Sequence, residues 1–170
     1  HGKSIASIAM TMGFPIDGFV DDNPALAGAI VCGLPVLGAT MLIDEHPEWE
    51  LLAGIGSNRV RQRLALRHAH ARWIGFEYGK VHRSIYAIVA ETAVLFPFAV
   101  VGADVTVGRF AIVSAHVTIG HDTNVGDYAQ LAPGVQVAGG SRIGEGAMIG
   151  IGAVLCPEVS VGDWATVAAG

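Results

Sequence analysis

Residues 117–150 read VTIGHDTNVGDYAQLAPGVQVAGGSRIGEGAMIG, and an aliphatic residue recurs in this stretch at every sixth position. The same period runs without a break from Val89 to Val167. Fourteen aliphatic residues occupy it: Val89, Leu95, Val101, Val107, Val113, Ile119, Val125, Leu131, Val137, Ile143, Ile149, Leu155, Val161 and Val167. The residue after each of these is mostly small, and the residue four positions later is small or β-branched.

A period of six fits neither a helix nor an ordinary strand, whose side chains repeat every 3.6 and 2 residues. It fits a triangular solenoid, in which each hexad forms one short strand and one corner. The aliphatic residue points into the prism, and the small residues permit the bend and fill the remaining interior. Three hexads make one coil, and strand pairing stacks successive coils about 4.8 Å apart. The sequence therefore predicts a parallel β-helix of four to five coils.

The first 80 residues lack this period and alternate between helical and strand patterns. Helices are predicted at 4–12 and 59–71, and strands at 16–20, 50–55 and 73–76. This alternation predicts a small parallel α/β domain at 1–80, followed by the β-helix at 81–170. Glycine and proline mark the expected loops: Gly28, Gly33, Pro35 and Gly38.

The net charge of −5 argues against a nucleic-acid partner, because proteins that bind a phosphate backbone present a basic face. Basic residues do gather at Arg59, Arg61, Arg63, Arg67 and Arg72. Their spacing is helical and apolar residues stand between them, so we expect them on the solvent-exposed face of a surface helix.

Apolar runs in the chain are far shorter than the roughly 18 residues that a membrane span needs. The first residues also lack the cleavage site of a signal peptide. We therefore expect a cytoplasmic protein without a membrane partner. Cys32 and Cys156 stand in apolar stretches, with no cluster of spaced Cys or His near either, which predicts two buried free thiols.

Several segments together carry a family resemblance. They are His1-Gly2-Lys3, Asp21-Asp22, the run Gly-Ile-Gly-Ser-Asn-Arg at 54–59, Val81-His82, and His121-Asp122 within the hexads. In this combination the chain resembles the bacterial sugar O-/N-acyltransferases of the sialic-acid O-acetyltransferase type. That family includes the N-acetyltransferases of UDP- or GDP-linked 4-amino sugars. The resemblance covers nearly the whole chain, and it implies a Rossmann-like N-terminal domain and a left hand for the β-helix.

The resemblance also implies a function in surface glycan biosynthesis. An enzyme of this type transfers acetyl from acetyl-CoA, its co-substrate, to an amine or hydroxyl of a nucleotide-linked sugar. The carrier nucleotide, UDP, GDP or CMP, stays open. The resemblance implies a homotrimer with active sites at the subunit interfaces, and no metal is expected. In that family a first strand and a Gly-rich turn precede the His-Gly-Lys segment, and both are expected to be missing from residues 1–80.

His121 and Asp122 are the candidate catalytic residues. Acetyl transfer from a thioester needs a base for the acceptor's proton, and an imidazole titrates near neutral pH. The hexad frame points Ile119 inward and places His121 and Asp122 at an outward corner. The resemblance assigns His121 as general base and Asp122 as the residue that holds its tautomer. Gly139 and Gly140 lie one coil further on, and we expect them to leave a notch for the thioester and the acceptor.

The resemblance implies the remaining contacts. Acetyl-CoA is expected at Gln130, Gly139, Gly150, Ile151 and Ala169. Substrate is expected at His1, Lys3, Asp21, Asp22, Gly56, Asn58 and Ser114. The aspartates also fit a plain turn, and Gly56 and Asn58 a turn with a helix cap. Two positions depart from the family, because Ser114 replaces a common asparagine and Gln130 a second histidine. Gln130 keeps a hydrogen-bond donor but cannot shuttle a proton.

Two other functions fit parts of the pattern. His116 and His121 have a spacing that resembles the zinc ligands of γ-class carbonic anhydrases, which add a third histidine from a neighbouring coil. The third ligand is expected near position 80, which is Lys80, while His82 stands outside the regular hexads. The other alternative is a non-catalytic trimeric scaffold, which would bind neither metal nor acetyl-CoA.

Overall fold

The computed structural model describes residues 1–170, and its N-terminal part is a small α/β unit. Its helices and strands are α1 (Gly2–Thr11), β1 (Phe19–Val20), β2 (Ile30–Val31), β3 (Leu34–Gly38), α2 (Leu42–Glu45), β4 (Glu50–Leu52), α3 (Asn58–Arg67) and β5 (Arg72–Ile74), with a 3-10 turn at Pro24–Leu26. β1 pairs with β3 and β4 with β5, both in parallel. The predicted parallel pairing is therefore present, and α2 is an element that the sequence pattern did not reveal.

The prediction of loops at Pro35 and Gly38 is wrong, because both residues lie in β3. β3 pairs antiparallel with β2, and the two-residue turn between them is Cys32-Gly33, with φ of 51° and 79°. Two successive positive φ values are typical of the tight turn that best suits the twist of a hairpin. Gly33 therefore marks a hairpin turn rather than a longer loop, and the sheet is mixed.

The β-helix consists of two-residue strands. They are β6 (Phe76–Glu77), β7 (His82–Arg83), β8 (Ile88–Val89), β9 (Val94–Leu95), β10 (Val100–Val101), β11 (Thr106–Val107), β12 (Ile112–Val113), β13 (Thr118–Ile119), β14 (Asn124–Val125), β15 (Gln130–Leu131), β16 (Gln136–Val137), β17 (Arg142–Ile143), β18 (Met148–Ile149), β19 (Val154–Leu155), β20 (Ser160–Val161) and β21 (Thr166–Val167). Each strand pairs in parallel with the strand 18 residues away, for example Val100 with Thr118.

The strands stack into three sheets, which form the sides of the prism. Sheet A contains β6, β9, β12, β15, β18 and β21; sheet B contains β7, β10, β13, β16 and β19; sheet C contains β8, β11, β14, β17 and β20. The chain passes from A to B to C in each coil. We name the corners A/B, B/C and C/A after the sheets that they join.

The interior of the prism is the main core. It holds 22 buried residues, and the predicted aliphatic positions from Leu95 to Val161 are all among them. The second predicted set, from Val105 to Ala153, is buried as well. The inward direction predicted for the six-residue period is therefore confirmed.

The first coil begins before the aliphatic period does. β6 starts at Phe76 and already pairs with β9, although the period is recognisable only from Val89. The two inward positions that precede Val89 are Glu77 and Arg83, whose side chains form an ion pair of 3.1 Å at the end of the prism. Because charged rather than aliphatic residues occupy these two inward positions, the first hexads are not recognisable in the sequence. The domain boundary at 80/81 stays a prediction.

The N-terminal part covers sheet A. Ile5 and Ala9 of α1 pack against Phe76 and Val94 of this sheet in a second core. The side chains that face outward from sheets B and C have no such cover, as the exposure of Ile88 and Val154 shows. Two free sheets therefore remain for contacts with other molecules.

Two further expectations are corrected by burial. Arg61 is 1% exposed, so the prediction that all the α3 arginines face solvent is wrong for this residue. Cys32 and Cys156 are free thiols as predicted, but both are exposed rather than buried. No helix of the protein has the length and the apolar surface that crossing a bilayer requires.

Candidate active site

The B/C corner holds a histidine and a carboxylate in direct contact. His121 and Asp122 lie in the turn between β13 and β14, and Asp122 has a left-handed φ of 57°. This turn brings the two neighbouring side chains together, with 2.7 Å between His121 Nδ1 and Asp122 Oδ2. A carboxylate can only accept, so Nδ1 carries the proton that it donates. In the neutral imidazole Nε2 is then left as a proton acceptor at an exposed corner.

The space beside this pair differs from the prediction. A Cβ added to Gly139 would lie 2.7 Å from His121 Nε2 and 2.8 Å from Cε1. The imidazole itself therefore occupies the notch that we expected to hold the thioester and the acceptor. Gly140, with φ of 71°, donates its N–H to the carbonyl of His121 over 2.8 Å. Gly139 thus leaves room for the ring of His121, and Gly140 binds the backbone carbonyl of His121.

A second group of predicted residues meets at sheet A. His1, Ser114 and Gln130 line one cavity of about 170 Å³ between the start of α1 and the β-helix. Gln130 Nε2 lies 3.1 Å from His1 Nε2, and its Oε1 is buried without any hydrogen-bond partner. An unpartnered buried carbonyl is uncommon in folded proteins. It leaves an acceptor ready for an N–H or O–H group of a ligand in this cavity.

The two groups lie on opposite sides of the prism. His121 belongs to the B/C corner, and Gln130 belongs to β15 in sheet A, which is the side opposite that corner. The structure therefore does not bring the candidate base and the cavity with Gln130 together within a single chain.

Three of the five predicted acetyl-CoA contacts lie along the A/B corner. Gly150 and Ile151 follow β18, and Ala169 follows β21 one coil further on. Gly150 packs tightly on this coil, because a Cβ there would lie 2.5 Å from Ala169 N. Ile151 is 63% exposed. The corner also carries Gly152, where a Cβ would meet no atom within 4 Å, so the surface beside Ile151 is open there.

The predicted substrate residues of the N-terminal part differ in how free they are. Lys3 is exposed in the first turn of α1. Asp21 accepts a hydrogen bond of 2.9 Å from Asn23 N. This bond forms the plain turn that the sequence offered as the alternative to a substrate contact. Asp22 accepts bonds of 2.8 Å from both N and Oγ1 of Thr40. The Thr40 N–H, and next its hydroxyl, hold the pKa of Asp22 below its ordinary value.

Gly56 and Asn58 have different surroundings. A Cβ on Gly56 would lie 2.7 Å from His1 Nδ1, so this glycine lets His1 approach the backbone. Asn58 is buried, and its Nδ2 donates to the carbonyls of Gly146 and Ala147 over 3.0 and 3.2 Å. The surroundings of Gly56 are compatible with its predicted place beside a substrate. The side-chain amide of Asn58, in contrast, already donates hydrogen bonds to the β-helix.

The zinc-site alternative finds no support in this geometry. His116 stands at the A/B corner and His121 at the B/C corner, with β13 between them. The ring of His116 stacks on Phe98, with 5.1 Å between ring centroids. No three His, Cys, Asp or Glu side chains of the chain group closely enough to hold a metal ion.

Comparison with known proteins adds independent findings. The family model of the PglD N-terminal domain matches residues 1–67. The acetyltransferase domain of PglB from Neisseria gonorrhoeae, solved with acetyl coenzyme A, is 30% identical over 100% of this chain and 84% of that chain, with a TM-score of 0.92. The chain belongs to the sugar acyltransferases of the hexapeptide-repeat family. No curated protein sequence gives a significant match.

Other solved structures place this sugar acyltransferase among acetyltransferases. A histidine-to-asparagine mutant of perosamine N-acetyltransferase from Caulobacter crescentus, in complex with CoA and GDP-perosamine, is 27% identical. The match covers 100% of this chain and 82% of that chain, with a TM-score of 0.93. WeeI from Acinetobacter baumannii, at 21% identity and a TM-score of 0.66 over 99% of this chain and 88% of that chain, shares the fold.

These matches settle the fold and the reaction class. The sugar acyltransferase is an acetyltransferase, as predicted, and the predicted Rossmann-like part followed by a left-handed β-helix is confirmed. Gly152 was not predicted as a site residue, although its 18-residue spacing from Gly134 is visible in the hexads. The burial of Arg61 was not predicted either, because a buried arginine in a helix has the same sequence spacing as an exposed one.

Proposed function

We propose that the protein transfers acetyl from acetyl-CoA to an amine or hydroxyl of a nucleotide-linked amino sugar, with His121 as general base. The observation that carries this proposal is the 2.7 Å contact between His121 Nδ1 and Asp122 Oδ2. It fixes the proton on Nδ1 and leaves the lone pair of Nε2 at an exposed corner, which is the state that a base needs.

The reaction follows from this arrangement. The acceptor nitrogen or oxygen forms a bond to the thioester carbonyl carbon, and His121 Nε2 takes its proton. The carbon–sulfur bond then breaks, and the imidazolium returns the proton to the leaving sulfur. Asp122 stabilises the imidazolium between these two steps. In this scheme the amide of Gln130 donates to the thioester oxygen, where charge develops.

The N-terminal part is the proposed site of the sugar nucleotide. The matching perosamine N-acetyltransferase was solved with GDP-perosamine, and the PglD N-terminal domain model covers the same part of this chain. Proposed contacts are Lys3 and the α1 N-terminus for the diphosphate, Asp21 and Asp22 for hydroxyl or ring N–H groups, and His1, Gly56 and Ser114 beside the sugar. Asn58 is left out, because both its donors already face carbonyls.

Acetyl-CoA is proposed to lie along the A/B corner. The exposed Ile151 offers an apolar surface to the pantetheine arm, and Gly150 and Ala169 offer backbone without bulk. The matching PglB domain was solved with acetyl coenzyme A and the perosamine enzyme with CoA. The exposed Gly152 leaves open space beside Ile151 on the same corner.

A homotrimer is proposed because the candidate site is divided. If sheet B faces a threefold axis, the B/C corner of one subunit meets the A/B corner of the next. That packing would bring His121 to the cavity that holds His1 and Gln130. Sheet B suits burial, because the side chains that face outward from it include no Asp, Glu, Lys or Arg: His82, Val100, Thr118, Gln136 and Val154. Sheet C, in contrast, presents Arg142.

The proposal is tested by release of free thiol from acetyl-CoA. A panel of UDP-, GDP- and CMP-linked sugars is offered, each with and without a free amino group, beside the same sugars without a nucleotide. We expect thiol release only with a nucleotide-linked amino or hydroxy acceptor, together with a mass gain of one acetyl group on the sugar. Absence of transfer to every member of the panel, by protein that binds acetyl-CoA, would contradict the proposed acceptor class.

A further inference from the structure

Arg61 is the most deeply buried charged residue of the N-terminal part. Its guanidinium donates to the carbonyls of Phe110, Ile55 and Tyr128 over 2.9, 2.8 and 2.8 Å, and to Asn58 Oδ1 over 3.0 Å. No carboxylate forms an ion pair with it. Burial lowers the pKa of Arg61 to about 10, so the side chain is still charged at neutral pH. A buried arginine without a counter-ion is costly, and four hydrogen bonds to uncharged oxygens compensate for the missing carboxylate.

The partners of Arg61 and Asn58 form a row along the C/A corner. Phe110, Tyr128 and Gly146 are 18 residues apart, and all three have left-handed φ values of 56°, 59° and 61°. Their carbonyls accept no backbone hydrogen bond, because the strand ladders use neighbouring residues. Arg61 takes the first two carbonyls, and Asn58 takes the third. One turn of α3 is therefore fixed to three successive coils.

The same guanidinium holds the loop that leads to the candidate site. Its fourth partner, the carbonyl of Ile55, directly precedes Gly56. Gly56 is in close contact with His1, and His1 in turn lies 3.1 Å from Gln130. Arg61 thus connects a carbonyl of the N-terminal part to two carbonyls of the β-helix.

We propose that Arg61 is a positioning residue for acetyl transfer, which sets the sugar-nucleotide part in register with the β-helix through the Ile55–Gly56 loop and His1. The inference rests on the proposed function, because it concerns the distance between an acceptor held by the N-terminal part and a base held by the β-helix. Lysine cannot replace this residue. Its single ammonium group cannot reach carbonyls on three sides, whereas the guanidinium fork does.

A role in stability alone and a role in positioning differ in what they predict. Loss of docking stability alone would lower the melting temperature and leave turnover of the folded protein unchanged. A positioning role predicts slower transfer in protein that is folded and binds acetyl-CoA normally. A misplacement of about 1 Å near a reacting centre can cost about a hundredfold in rate.

The test compares Arg61→Lys with Arg63→Lys, a matched change on the exposed side of the same helix. We measure kcat and KM for the sugar nucleotide, Kd for acetyl-CoA, and amide hydrogen exchange over residues 54–58. For Arg61→Lys we expect a fall in kcat of about tenfold to a hundredfold, unchanged acetyl-CoA affinity, and faster exchange in that segment. For Arg63→Lys we expect wild-type values throughout.

Wild-type kcat in Arg61→Lys, with faster exchange at 54–58, would overturn the positioning role. Unchanged exchange together with unchanged kcat would overturn it as well. If Arg61→Lys does not fold, Asn58→Ala removes the third anchor and one guanidinium bond, and keeps the bonds of Arg61 to Ile55, Phe110 and Tyr128, so its kcat is expected to fall by a smaller factor. A wild-type protein that acetylates no sugar nucleotide refutes the proposed function instead, so the two failures are distinguishable.

Discussion

The imidazole of His121 lies flat against the backbone of Gly139, which stands one coil further on, at a position where a Cβ would be 2.7 Å from Nε2. The candidate base is thus held on two sides. Asp122 binds its Nδ1 edge, and the glycine accommodates its ring face. Because the atom that a new Cβ would meet is the far end of a flexible side chain, the ring rather than the β-helix would move.

Gly139→Ala should therefore lower kcat and leave the fold intact. The added methyl group pushes the imidazole away from the corner, and we expect a loss of about tenfold to a hundredfold in kcat from the misplaced base. Steady-state kinetics and thermal melting measure the two effects. Gly162→Ala is the control, because a Cβ there meets nothing within 4 Å. Equal kcat in both variants would show that the ring does not need this position.

His121→Ala removes the candidate base altogether. We expect kcat to fall by about two to four orders of magnitude, the usual range for loss of a general base, with unchanged acetyl-CoA affinity. The side chain is exposed, so the melting temperature should not change. Turnover of the variant at the wild-type rate, with an acceptor that the wild type acetylates, would remove the assignment.

Asp122→Asn tests the tautomer separately. The carboxylate accepts the Nδ1 proton, whereas an asparagine can donate to Nδ1 and move the proton to Nε2. We expect a fall in kcat of about tenfold to a hundredfold or more, by analogy with other carboxylates that orient a histidine. Asp104→Asn is a matched control, since Asp104 has the same left-handed corner geometry one coil earlier, with φ of 56°. A similar loss in both variants would indicate a general electrostatic effect instead.

The period of six was sufficient to predict most of the fold. Every interior aliphatic position from Leu95 onward is where the sequence places it, because a triangular prism admits large side chains only on its inner faces. The first coil could not be predicted in this way, since Glu77 and Arg83 satisfy each other at the open end. In the N-terminal part, the Cys32-Gly33 turn made a hairpin where glycine alone suggested a loop.

The candidate site was only partly predictable. The corner position of His121 and Asp122 follows from the hexad frame, and the contact between them agrees with the role that the family resemblance implied for Asp122. What occupies the space beside this pair could not be predicted, because it depends on the rotamer of His121, whose ring covers Gly139. The burial of Arg61 could not be predicted from the sequence either. Helical periodicity does not show which polar residue of α3 faces unpaired carbonyls of the β-helix.

Ile151→Ala tests the placement of acetyl-CoA proposed at the A/B corner. Ile151 is 63% exposed, so truncation should hardly change the melting temperature. If the side chain covers the pantetheine arm, acetyl-CoA affinity should fall by about threefold to tenfold, in line with the loss of a few methylene contacts. Ile88→Ala, at 70% exposure on sheet C, is the control. Calorimetry that gives equal Kd values for the two variants would contradict the placement of acetyl-CoA.

The bond between Thr40 and Asp22 predicts an acid-sensitive contribution to stability. Asp22 accepts from the N–H and the hydroxyl of Thr40, and its pKa in the folded protein is lowered by these two bonds. A carboxylate whose folded pKa lies below the unfolded value, about 3.9, stabilises the fold above that pH. The contribution is lost as the pH falls through the folded pKa, because the protonated acid no longer attracts the donors.

Thr40→Val keeps the backbone N–H and removes only the hydroxyl bond to Asp22. We expect a melting temperature below wild type near pH 7, and a difference that shrinks as acidification below the ordinary Asp pKa of about 3.9 protonates Asp22 in the folded proteins. Thr11→Val is the control, since the Thr11 hydroxyl donates to the uncharged Ser7 carbonyl over 2.9 Å. Its effect should not vary with pH. A difference between wild type and Thr40→Val that does not shrink on acidification, down to the lowest pH at which both proteins fold, would show that the charge of Asp22 has no part in it.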